Sequence, residues 1–144
     1  MSGKIAPFSG VIMTLIVQKF GGTSVGSAER IRNVARRVAK WRAAGYDLVV
    51  VPSAMAGETN RLVGLAKEIQ AHPDARELDV VASTGEQVTI GLLAMALLEL
   101  GVKAKSYSGW QVRVLTDSAF TQARIVSIDE ERIRQDLKSG CVAV

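Results

Sequence analysis

Apolar positions recur along the chain with two periods. Thr14 to Lys19 is a short β-branched run that stops at glycines, the pattern of a buried strand. After the glycine-rich turn Gly21–Ser27, residues Ile31, Val34, Ala35, Val38 and Ala39 fall at i, i+3, i+4, i+7 and i+8. That spacing predicts an amphipathic helix, with Ser27 as N-cap, Glu29 in the first turn and Gly45 placed to end it. Asp47 to Pro52 predicts a second strand, and its unbroken apolar centre predicts burial on both faces. Ser53 to Asn60 is a small, polar loop. Leu62 to Ile69 reads as a helix, closed by Ala71-His72-Pro73-Asp74. A further helix begins near Glu77, is interrupted at Ser83-Thr84-Gly85-Glu86, and resumes from about Gln87 to Leu100. That last stretch is apolar nearly all round, so it is expected deep in the core.

Val102 to Tyr107 predicts a third strand, Ser108 to Gln111 a loop, and Ala123 to Ile128 a short strand. Asp129 is placed to cap a helix running to Ser139, with Ile128 stapled onto Ile133 and Gly140 ending it. Cys141 to Val144 begins another apolar strand. The order strand, helix, strand, helix, helix, strand, strand, helix, strand means α/β with a mostly parallel sheet. Residues 1–12 show no clear period and contain Pro7 and two glycines, so they read as a loose N-terminal extension to a body spanning 13–144. A final strand without neighbours would be an unpaired edge, and self-association or homo-oligomerisation is expected from it.

Composition narrows the class. The chain has 144 residues, 48% hydrophobic and 22% charged, which excludes intrinsic disorder and fits one domain. Its single cysteine, Cys141, excludes an internal disulfide framework, and its single histidine, His72, excludes His-pair metal ligation. Cys141 reads as a buried small hydrophobe and His72 is assigned no role. The apolar run Val11–Val17 is far short of the ~20 residues a membrane helix needs. No small-residue cleavage site follows it, so a cytoplasmic protein that does not enter the membrane is expected. The net charge of +4 comes from one helix face carrying Arg30, Arg32, Arg36, Arg37, Lys40 and Arg42. A nucleic-acid groove and a solvated face both fit it. Without interleaved aromatics or a recognition motif, the solvated face is favoured and no nucleic-acid partner is expected.

Ligands of open α/β sheets bind beyond the carboxyl ends of the strands. Lys19 with Gly21–Ser27, and the loop Ser53–Asn60, fall there; Thr84-Gly85-Glu86 falls at a helix start. The first cluster is neither a Walker loop, because Ser27 stands where lysine is required, nor a dinucleotide fingerprint, because Thr23 replaces the middle glycine. Adjacent glycines still let main-chain N–H groups approach an anion, and Lys19 is placed to add a point charge. A plain tight turn remains the alternative. Glu86 could equally complement a helix dipole, Ser53 and Thr59 could be loop caps, and Lys19 a surface lysine.

Lys19-Phe20-Gly21-Gly22-Thr23-Ser24-Val25 resembles the N-terminal signature of aspartate kinases, in the amino-acid kinase family. Val51-Pro52-Ser53-Ala54-Met55 through Thr59-Asn60, Ser83-Thr84-Gly85-Glu86, Gly109-Trp110-Gln111 and the Ala123-Arg124-Ile125 region agree in order and spacing, from about Met13 to Val144. The resemblance implies a three-layer αβα sandwich and transfer of the γ-phosphoryl of ATP, with Mg²⁺, to the side-chain carboxylate of L-aspartate. The product, 4-phospho-L-aspartate, opens the route to lysine, threonine, methionine and diaminopimelate. It implies that Lys19 is catalytic, neutralising charge on the transferring group, and that Gly21 and Gly22 offer N–H groups to the phosphates in a loop shared by Phe20, Thr23 and Ser24. It implies that Ser53 and Thr59 hold the aspartate and that Glu86 meets its α-ammonium. The assignment requires Lys19, Ser53 and Glu86 to share a cleft.

The family's second half carries an Arg-Gly-Gly-Ser-Asp loop, segments that hold adenine and Mg²⁺, and regulatory ACT domains; none is present in these residues. The chain alone is therefore expected to lack aspartate kinase activity. A non-catalytic interaction or regulatory module on the same fold, or another carboxylate or carbamate kinase, are the alternatives.

Overall fold

The computed structural model describes residues 14–144, so the expected N-terminal extension at 1–12 and the start at Met13 lie outside it. Six strands and four helices follow in the order β1 (Leu15–Phe20), α1 (Ala28–Ala43), β2 (Asp47–Pro52), α2 (Glu58–Ile69), α3 (Ala75–Glu99), β3 (Ala104–Lys105), β4 (Val114–Thr116), β5 (Ile125–Ile128), α4 (Glu131–Lys138) and β6 (Val142–Ala143). A 3₁₀ turn, Gly22–Val25, joins β1 to α1. The main sheet is parallel, in the order β1-β2-β6-β3, and β4 and β5 form a separate antiparallel pair.

Strand alternation divides the sheet into two faces. Phe20, Leu48, Val50, Val142 and Val144 point to the side where α1 and α3 pack, and there Val25, Val38, Leu93 and Leu97 complete the core. The opposite face carries Val49, its register partner Ala143, and Lys105, which pairs with Ala143. α4 covers that side through Lys105 and Asp136. The layers are thus α1/α3, sheet, α4, with α2 packed on α3.

The expected α1 forms as read: Ser27 Oγ accepts the Arg30 N–H at 3.2 Å, and Gly45 takes a positive φ of 92° beyond the end. Arg30, Arg32, Arg36, Arg37 and Lys40 are exposed. Arg42 is not part of that solvated face: its guanidinium donates to the Gly140 and Tyr46 carbonyls and pairs with Asp47. It ties the end of α1 to the turn before β6.

Four expectations are overturned. First, Ser83-Thr84-Gly85-Glu86 does not interrupt a helix; α3 runs unbroken through it. The Ser83 and Thr84 hydroxyls donate to the carbonyls of Val80 (3.0 Å) and Val81 (2.7 Å), so these polar residues are satisfied by the helix itself. Glu86 is therefore not a first-turn carboxylate. Second, α3 is not buried all round: Leu93 and Leu97 are fully buried while Met95 is 66% and Leu98 56% exposed. Third, β2 is not covered on both faces, since Val51 is 48% exposed. Fourth, β6 is not an unpaired edge. It lies inside the sheet, where Val142 and Val144 N–H groups donate to Lys103 and Lys105 at 2.8 and 2.9 Å and β2 flanks the other side. β6 therefore offers no bare edge through which copies of the chain would associate.

Smaller differences have local causes. β3 is shorter than Val102–Tyr107, and β4, three residues long, is too short to leave a period in the sequence. Helix α2 starts four residues before Leu62, and α4 begins after Glu130. Asp129 still accepts the Glu131 N–H, at 3.3 Å, without occupying the cap position.

Asp136 joins α4 to β3. Its carboxylate accepts from Lys105 Nζ at 2.5 Å and from the Tyr107 hydroxyl. The hydrogen bond from Lys105, then that from Tyr107, hold Asp136 below its ordinary value of 3.8. Such a group contributes stability above its unfolded pKa, and that contribution is lost as pH falls through the lower folded value. Thermal melting of the chain should therefore drop as pH is lowered below about 4, and Asp136→Asn should remove part of that dependence. Identical pH profiles for the two proteins would refute the role given to Asp136.

Candidate functional site

The site is assembled at the carboxyl ends of β1 and β2. In-register pairing puts Lys19 beside Val51 and Phe20 beside Pro52, and the Ser53 N–H then donates to the Phe20 carbonyl at 2.9 Å. The two loops that follow are thus bonded at their roots. Gly21 leads into the 3₁₀ turn, where the Ser24 N–H donates to the Gly21 carbonyl at 2.9 Å. Lys19 is exposed on the sheet face away from Phe20.

The two glycines differ in what they do. Gly21 has φ −74° and ψ 166°, ordinary for any residue, and a Cβ there would meet nothing within 4 Å. Its backbone thus gives no folding reason for glycine. What its lack of a side chain leaves is room for an outside group to approach the main chain. Gly22 is packed: a Cβ on it would lie 2.9 Å from the Ala54 carbonyl oxygen. The turn after β1 therefore rests on the loop after β2.

α3 reaches the same loop from another direction. Glu86 Oε1 accepts the Ala54 N–H at 3.2 Å, and Gly85 sits against the Ala54 side chain. Three sequence segments widely separated along the chain, around Lys19, Ser53 and Glu86, thereby meet at Ala54. Thr59 stands in the first turn of α2 with its side chain exposed.

Their surfaces open onto two depressions. Glu86 lines a cleft of about 740 Å³ with Val51, Trp110, Val112, Ile133 and Val144. Phe20, Thr23 and Ser24 border a shallower one of about 430 Å³ with Arg30, Asn33 and Arg37. Lys19, Ser53 and Thr59 line neither, so the cleft expected to be shared by Lys19, Ser53 and Glu86 is not formed: their segments meet through the Ala54 peptide, while Glu86 alone of the three opens onto a depression.

Residues not singled out from the sequence shape this region. Ala54, an alanine in a small-residue loop, carries no chemical label, yet it is the contact point. Glu58 and Arg61 form a two-pronged pair across the first turn of α2, at 2.6 and 2.9 Å. The hydrogen bond from Arg61 holds Glu58 below its usual carboxylate range. The three-residue spacing on a helix was the signal available. Tyr107, its hydroxyl on Asp136 and its N–H on the Val144 carbonyl, fixes the start of the Ser108–Gln111 loop that walls the larger cleft. Burial, then the Asp136 hydrogen bond, push the Tyr107 hydroxyl far above its ordinary value, so it stays a protonated donor.

Residues 14–144 match the family profile described as "Amino acid kinase family". An aspartokinase of Pseudomonas aeruginosa is 66% identical over 132 residues, which are 92% of this chain and 32% of that protein. The crystal structure of aspartate kinase from Synechocystis superposes with a TM-score of 0.75 at 44% identity, covering 91% of this chain and 21% of that one. E. coli aspartokinase III, solved in complex with aspartate and ADP, superposes with a TM-score of 0.74 at 22% identity, a likeness of fold, over 90% of this chain and 40% of that one. The chain spans about a third of the length of the curated relatives it matches.

The Ala54–Glu86 bond is checkable without any ligand. Glu86→Ala leaves the Ala54 N–H without its acceptor, and the melting free energy should fall by about 1 kcal/mol, the usual worth of a hydrogen bond of this kind. A change indistinguishable from that of an exposed control such as Gln87→Ala would mean the bond is not formed in solution.

Proposed function

The chain belongs to the amino acid kinase family, and we propose that it is the aspartate-binding and phosphate-loop portion of an aspartate kinase. The reaction is attack of a side-chain carboxylate oxygen of L-aspartate on the γ-phosphorus of ATP, with ADP leaving and 4-phospho-L-aspartate formed. The observation that supports this reading best is the meeting of the Lys19–Gly22 turn, the Ser53–Ala54 loop and Glu86 at one peptide.

The chemistry asks for little acid–base help. The acceptor carboxylate is ionised at neutral pH, so no strong general base is required. What opposes the reaction is repulsion between two anions. Lys19 supplies a positive charge at the tip of β1, and the open space at Gly21 lets phosphate oxygens come near main-chain N–H groups. Glu86 takes the α-ammonium of aspartate, and Ser53 and Thr59 bind its polar groups. One oxygen of Glu86 is engaged by the Ala54 N–H, which orients the carboxylate while leaving the other oxygen for a cation.

Mg²⁺ offsets the charge of the nucleotide when bound, through hard oxygen ligands. Among the described residues no group of three or more His, Cys, Asp or Glu side chains could hold a metal ion. No step here is routed through it. The place of action we propose is the cytoplasm, where ATP is supplied.

Calorimetric titration tests the reading. L-aspartate should bind the chain, and Glu86→Gln should weaken it by about tenfold or more, the scale of one charge-assisted hydrogen bond. Succinate, which lacks the ammonium, should bind both proteins equally weakly. If succinate and L-aspartate bind the parent chain alike, Glu86 does not read the ammonium. In a phosphorylation assay the chain alone should form no 4-phospho-L-aspartate above a Lys19→Ala control; product above that control would refute the expectation of inactivity.

A further inference from the structure

Gly85 is a glycine in the interior of a 25-residue α-helix, a position that costs about 0.5–1 kcal/mol relative to alanine. Its φ is not in the left-handed region, so the backbone does not demand it. The reason lies across the interface. A Cβ at Gly85 would fall 2.9 Å from the Ala54 Cβ, a separation real side chains do not tolerate. Gly22 approaches from the other direction, where a Cβ would fall 2.9 Å from the Ala54 carbonyl oxygen. Ala54 itself is buried, and its peptide neighbours are bonded outward: Ser53 N–H to the Phe20 carbonyl, Ala54 N–H to Glu86. Ala54 is thus pressed between two glycines belonging to different elements.

We infer that Gly22 and Gly85 are positioning residues: their missing side chains seat the Ala54 peptide between the β1 turn and α3, and this seating orients Glu86. The inference rests on the reading of Glu86 as the group that meets the substrate ammonium. The mechanism is a spacing. Separating α3 from the loop lengthens the Ala54 N–H to Glu86 bond, now 3.2 Å, and frees the carboxylate to rotate away. Raising the β1 turn off the loop shifts Lys19 and Gly21 relative to the same carboxylate. Packed interiors transmit such displacements because they hold few voids to absorb them.

The two contacts differ in the atom they meet, and this makes the inference sharp. The obstacle to Gly85→Ala is a side-chain methyl, which Ala54→Gly removes. The obstacle to Gly22→Ala is a carbonyl oxygen, which Ala54→Gly leaves in place. The experiment makes Gly85→Ala, Gly22→Ala, Ala54→Gly and the two double variants in the whole chain. Two signals are followed. One is the Kd for L-aspartate by calorimetry. The other is the amide resonance of residue 54 by NMR, whose shift reports the carboxylate beside it and is calibrated with Glu86→Gln.

Gly85→Ala should weaken L-aspartate by about tenfold or more and abolish the carboxylate dependence of amide 54, and adding Ala54→Gly should restore both. Gly22→Ala should also weaken binding and should not be rescued. The inference is overturned if Gly85→Ala binds like the parent, if Ala54→Gly fails to rescue it, or if it rescues Gly22→Ala as well. Should Gly85→Ala not fold, the double variant decides: a folded double with amide 54 reporting Glu86 supports the inference, and an unfolded one overturns it. Should the parent chain not bind L-aspartate, the proposed function fails for this chain. The spacing is then decided by amide 54 alone, its loss in Gly85→Ala and return in the double variant supporting the inference and an unchanged signal overturning it.

Discussion

The Ala54 N–H and the Glu86 carboxylate are 32 residues apart in sequence and 3.2 Å apart in space. The segments proposed to form the site meet around that contact. β1 and β2 pair in register, so the turn after one and the loop after the other leave the sheet side by side. The Ser53 N–H closes the seam between them on the Phe20 carbonyl. α3 then lays its midpoint against the loop, which only a glycine at 85 permits. The helix that carries Glu86 and the glycine-rich turn that follows Lys19 are brought together because both pack on the Ala54 peptide.

The arrangement suits the proposed reaction, whose difficulty is electrostatic. Two anions must be brought within bonding distance, and no proton need be removed from the nucleophile. In the proposed roles, Lys19 supplies a cation, the open space at Gly21 admits an anion to the main chain, and Glu86 offers an oriented carboxylate to the substrate's ammonium. The single histidine, in the turn before α3, is not needed for such chemistry.

Much of this was visible in the chain before any coordinates. Ser27, Gly45 and Gly140 punctuate α1 and α4 as their residue types direct, because caps and left-handed turns are decided locally. Beyond the element ends, the failures are mostly non-local. Ser83-Thr84-Gly85-Glu86 looked like a break because small polar residues disfavour helices, whereas here their hydroxyls bond to the preceding turn and Gly85 answers a methyl group from another loop. The last strand looked bare because sequence order does not show that the chain returns between β2 and β3. Arg42 looked like one more solvated charge, yet its partners lie 98 residues away at Gly140 as well as nearby at Tyr46 and Asp47. Ala54 offered nothing to read at all.

β1 and β2 show why apolar composition and burial are separate statements. Val49, Val50 and Val51 are chemically alike, and a run of them indicates a strand able to face apolar neighbours on both sides. Among the described residues, α1 and α3 cover one side, and α4 packs on β6 and part of β2 on the other without reaching β1. Val50 is therefore buried while Val17 and Val51 remain 63% and 48% exposed. The same asymmetry places Lys19 on the open face and Phe20 in the core. In its proposed role Lys19 meets a phosphate, which requires it to stand on a side that helices leave uncovered. The strict alternation of β1 is what delivers the lysine there while its neighbour anchors the strand.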